Sequence, residues 1–78
     1  MDYLKEIEAI INDLKDNNVD ASNQLREIYD YTFSGTELLM KSVHFLLQIK
    51  NEVDPVINHR IIELKDFCNS IGLFPGEE

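Results

Sequence analysis

If residues 38–53 form one helix, then Leu38, Leu39, Ser42, Val43, Leu46, Leu47, Ile49 and Val53 spread over roughly 220° of its circumference, far beyond the ~100° stripe of an ordinary surface helix. Such a helix has to be covered on two sides, so the chain is expected to be a multi-helix domain with this segment at its centre. The start of the segment is equally well marked. Ser34 and Glu37 have the Ser-x-x-Glu spacing of a capping box, and Phe33 and Leu38 stand where a hydrophobic staple would join them. Lys41, His44, Gln48 and Glu52 make a narrow wet face, with Phe45 expected to be exposed at its edge. Ser42, on the buried arc, is expected to bond back to the preceding turn.

Three further segments show helical periodicity. In residues 3–16 the residues Leu4, Ile7, Ile10, Ile11 and Leu14 share one stripe, with Asp2 as the N-cap. Asn17 and Asn18 supply turn chemistry with left-handed backbone, and Asp20 is the expected cap of a second helix over 21–33 that buries Leu25, Ile28, Tyr29 and Thr32. So short a connection makes the first two helices an antiparallel hairpin. Asp54 and Pro55 close the third helix and open a fourth over 55–71, because proline suits a first helical position and disfavours helix in the residue before it. This helix should bury Ile57, Ile61, Leu64, Phe67, Cys68 and Ile71, and Gly72 followed by Leu73 fits a Schellman ending. The expected fold is all-α: a compact four-helix bundle with helices at about 3–16, 21–33, 35–53 and 55–71 and the third central. Residues 1–74 form a single helical domain, and 75–78 a short acidic tail.

A chain of 78 residues has room for one core. Its lone cysteine, Cys68, excludes an internal disulfide framework, and no zinc-ligand spacing replaces it. The first residues show no basic region followed by an apolar run, so the protein is expected in the cytoplasm, with no membrane span. Fifteen acids against seven bases give a net charge of −8, which repels phosphate backbones and makes nucleic acid an unsuitable direct ligand. The charge is uneven: residues 1–37 carry nine acids and three bases, residues 38–78 six and four. A basic protein partner would therefore face the N-terminal half.

Chemistry-bearing patterns are sparse. His59, Glu63 and Asp66 share one side of the fourth helix, a spacing that serves a metal half-site but reads more simply as a solvated ion-pair face. Arg60 falls in an apolar stripe and needs a carboxylate or carbonyl partner, or must extend to water. No nucleophile elbow, phosphate loop or paired histidine motif is present, so neither an enzyme nor a cofactor is expected. A helix-turn-helix reading around Gly35 fails because the second helix would offer only Lys41 to phosphates. Tyr31, Phe45, Ile62 and Phe74 lie off the core stripes. Tyr31, beside Glu27 and Asp30, is the best anchor for a basic partner, while Phe45 and Ile62 suit a homodimer surface.

The stretch Gly35-Thr36-Glu37-Leu38-Leu39-Met40 resembles the Gly-x-Glu-Leu-x-Met segment of the colicin D type of immunity protein. The Tyr-Tyr-Pro element of the DNase-type immunity proteins is absent. The resemblance implies a cytoplasmic inhibitor that binds a nuclease toxin through an acidic surface standing in for RNA phosphates, with Glu37 as the one residue carried over. With the charge pattern it gives the leading expectation, an immunity or antitoxin-like binding protein in which Asp13, Asp16, Glu27, Asp30 and Glu37 steer and Tyr31 anchors. Two alternatives stay open: a structural homodimer or small regulatory subunit, and a phage-borne blocker of a host nucleic-acid enzyme.

Overall fold

Polar side chains that accept from the first free backbone N–H groups decide where each helix of this chain begins. A computed structural model describes residues 2–73, comprising α1 (Tyr3–Asn17), α2 (Val19–Tyr31), α3 (Gly35–Ile49), a 3-10 turn (Lys50–Glu52) and α4 (Pro55–Ser70). Asp2, Ser34 and Asp54 cap α1, α3 and α4 as expected, accepting from the N–H groups of Lys5, Glu37 and Ile57 at 3.3, 3.5 and 3.0 Å.

The cap of α2 differs from expectation. Asn18, not Asp20, accepts from the Ala21 N–H at 3.1 Å, while its own N–H donates to the Leu14 carbonyl at 2.7 Å. One residue thus ends α1 and starts α2. It does so with φ −157°, extended rather than left-handed, so the two helices meet with a single residue between them. Asp20 lies inside the first turn of α2, where its charge favours the positive end of the helix dipole.

Each helix packs beside the next, and α4 returns to α1, closing a ring. The most extensive pairing is α1 with α2. The Ser22 hydroxyl donates to the Ile11 carbonyl at 2.9 Å, and the Tyr29 hydroxyl to a Glu8 carboxylate oxygen at 2.6 Å. These pairings run antiparallel. The Glu8 bond, then desolvation, raises the Tyr29 pKa above its ordinary value. The wide apolar arc of α3 is covered by α2 on one side and α4 on the other. Ile7, Ile10, Ile11, Leu14, Leu25, Leu39, Val43, Leu46, Ile57, Ile61, Leu64 and Cys68 are all essentially inaccessible to water, and burial raises the Cys68 thiol pKa. The bundle is therefore an all-α, four-helix structure with one core.

Several expected core or surface positions are revised. Leu4, in the first turn of α1, is exposed. Tyr3 turns inward instead, its ring 6.2 Å from that of Phe67, and its hydroxyl occupies the space a Cβ on Gly35 would need. The α-helical part of α3 stops at Ile49, and the 3-10 turn tightens the chain before Val53 and Asp54 extend to begin α4. Phe45 is half-buried against the core rather than exposed. At the end of α4 the Schellman pattern is present: Gly72 has φ 86°, the Leu73 N–H donates to the Cys68 carbonyl at 2.8 Å, and the Gly72 N–H to that of Asn69 at 3.2 Å. This turn brings Leu73 onto the core and leaves Ile71, expected inside, exposed as the C-cap. Phe74 and the 75–78 tail lie outside the described residues.

Ser42 does not bond back to the preceding turn. Its hydroxyl is fully buried and has no hydrogen-bond partner among the described residues. An unsatisfied buried hydroxyl costs about 1–3 kcal/mol, so Ser42→Ala is expected to leave stability unchanged or to raise it by about 1 kcal/mol in urea unfolding. A loss beyond about 1 kcal/mol would mean that the hydroxyl is bonded in solution.

Candidate protein-binding surface

The six residues expected to meet a partner do not form one patch. Asp13 and Asp16 lie on the last turns of α1 and line a groove with Asp54 and Arg60 of the neighbouring α4 end. Asp13 is already engaged, its Oδ2 3.3 Å from Arg60 Nε. Arg60 Nη1 also donates to Glu6 Oε1 at 3.2 Å, which supplies the partner that a cation in an apolar stripe requires. Glu27, Asp30 and Tyr31 belong to α2, whose thirteen residues beyond Asn18 carry Tyr31 about 20 Å from the α1–α2 junction. Asp13 and Asp16 therefore stand at the opposite end of the bundle.

What remains is a corner at the end of α2 and the start of α3. Positions 27, 30 and 31 share one helical face, and all three side chains are exposed. Among the described residues neither Glu27 nor Asp30 has an ion-pair partner. Glu37, in the first turn of α3, is exposed and pairs with Lys41 at 3.0 Å. Tyr31 is 77% exposed, as its place on the polar side of α2 implied.

The residue that sequence reasoning misplaced is Phe33. It does not staple onto Leu38. Thr32 (φ −109°, ψ 118°) and Ser34 (φ −89°, ψ 129°) are both extended, and in extended chain successive side chains point to opposite sides. Thr32 is half-buried, so Phe33 is directed outward and is 94% exposed, while Leu38 is buried in the core without it. Expected as the last residue of the second helix, Phe33 instead lies in a short link, because α2 ends at Tyr31 and Ser34 already caps α3, and in such a link helical spacing no longer decides direction.

The other candidates stand apart. Ile62 is 46% exposed on α4, and half-buried Phe45 does not join it in an exposed apolar surface. His59 Nε2 lies 2.8 Å from Glu63 Oε1 on the same helix, both largely exposed, and among the described residues no group of three or more His, Cys, Asp or Glu side chains is placed to hold a metal ion. No described helix is long and apolar enough to cross a membrane. The chain matches no family model, no curated protein and no solved structure in the comparisons made.

Proposed function

We propose that this protein is a non-catalytic inhibitor of the immunity or antitoxin kind, which occludes a basic, nuclease-type partner with the acidic corner of α2 and α3. The observation that carries this reading is the pair of exposed carboxylates, Glu27 and Asp30, that have no ion-pair partner among the described residues and share a helical face with Tyr31. Carboxylates without internal ion pairs give up water but no salt bridge when a partner's Lys or Arg meets them, and they steer a basic surface before contact. Asp13 plays a lesser part, since Arg60 holds it, and Asp16 adds to the field from the far end.

The test is co-purification of the tagged protein with proteins of its source cell and products of neighbouring genes, washed at low and then high salt. A single basic nuclease retained at low salt and released at high salt, and lost from a Glu27→Lys/Asp30→Lys variant, is the expected result. Retention that ignores both salt and charge reversal would contradict the reading.

A further inference from the structure

We infer that Phe33 is the anchor of this surface and that its occupant is a different protein presenting an apolar pocket rimmed by Lys or Arg. The inference rests on the inhibitor reading and specifies the chemistry of the partner. Two aromatic rings, Tyr31 at 77% and Phe33 at 94% exposure, stand two residues apart at the end of α2. Near-complete exposure of a phenylalanine leaves almost its whole apolar surface in water, and a protein gains nothing in folding from that arrangement. Large aromatic side chains that fill a partner's pocket are the residues that dominate binding energy, while surrounding polar groups mainly exclude water and set orientation. Here the carboxylates on the helix turns before and after it are Glu27, Asp30 and Glu37, the last of them paired with Lys41. A pocket that accepts the Phe33 ring therefore has a positive rim.

The same charges exclude a second copy of this chain as the occupant. A two-fold contact centred on Phe33 would gather the Glu27, Asp30 and Glu37 carboxylates of both copies into one interface, like charge near like. The extended backbone from Thr32 to Ser34 holds the ring away from the bundle, so little ordering is lost when a partner closes over it.

The full-length protein, immobilised, is screened against a random peptide library in parallel with Phe33→Ala and Glu27→Lys/Asp30→Lys. Because Phe33 is outside the core, the alanine variant keeps its melting temperature, which the same experiment checks by circular dichroism. The expected result is a set of peptides in which several apolar residues, able to close over one ring, are flanked by Lys or Arg, with binding about 30-fold weaker to Phe33→Ala and strongly reduced for the charge-reversed variant. Basic peptides that bind Phe33→Ala as well as the wild type would overturn the anchor while leaving the inhibitor reading standing. Peptides that need Phe33 but are not basic and ignore the charge reversal would overturn both. Sedimentation equilibrium completes the test: a dimer that Phe33→Ala abolishes would show a second copy to be the occupant and would overturn the proposal.

Discussion

Leu46→Ala is expected to lower the unfolding free energy by about 2–5 kcal/mol, the range for deleting a fully buried leucine side chain. Leu46 is wholly inaccessible, on the helix that both α2 and α4 cover, so the space it leaves is walled on two sides and cannot collapse easily. Domains of this size are held by only about 5 kcal/mol or a little more, and the melting temperature should fall by more than about 10 °C. Phe33→Ala should change stability by less than about 0.5 kcal/mol, the usual range for exposed positions. The same two residue types, both large and apolar, thus have opposite roles, and thermal unfolding by circular dichroism separates them. A stable Leu46→Ala together with a destabilised Phe33→Ala would mean that the ring arrangement of the helices is wrong.

Arg60→Ala should cost about 1–2 kcal/mol, between the worth of an exposed ion pair and the cost of breaking a buried one. The guanidinium reaches two carboxylates of α1, Glu6 at 3.2 Å and Asp13 at 3.3 Å, and its removal leaves both half-buried and without their cation while also removing a partly buried apolar stem. Arg60→Lys keeps the charge but not the fork that reaches two acceptors, and should recover only part of the loss. In urea unfolding, the effect of Arg60→Ala should shrink when Glu6→Gln and Asp13→Asn are already present. An undiminished effect would assign the contribution to packing alone.

Local signals were the legible part of this fold. Asp2, Ser34 and Asp54 each precede a helix with the right side chain, and the cap geometry follows from residues only three apart. Gly72 likewise marks the end of α4, because a φ of 86° suits glycine and few other residues. The errors arose where two signals competed. Asn18 and Asp20 are both good caps, and the sequence alone does not say that α1 and α2 share one capping residue. Leu4 and Ile71 have the right periodicity for burial but sit at helix ends, where Tyr3 and Leu73 take the apolar contact instead. A helical wheel assumes that a stripe is covered along its whole length, and the bundle covers only its middle.

The exposed acidic corner was less legible than the fold. That Tyr31, Glu27 and Asp30 stand exposed on one face could be read, because all three lie on a regular helix whose core face is set by Leu25 and Ile28. Asp13 and Asp16 were grouped with them by net charge, which carries no information on which end of a helix a residue occupies. Phe33 was assigned by spacing to a staple with Leu38 and wrongly so, since its direction depends on the extended backbone on either side of it. Phe45 was displaced in the other direction, drawn against the core by the covering of α3.

The most direct measurement of the central claim is the association rate of the protein with its captured basic partner, at low and at high salt, for the wild type and for Glu27→Lys/Asp30→Lys. If the α2–α3 corner steers the encounter, the wild-type rate falls about tenfold or more as salt rises, the reversed variant is slow at low salt, and the two converge at high salt. Equal rates for both proteins at both salt concentrations would contradict the claim and leave the acidic residues of the corner without a part in recognition.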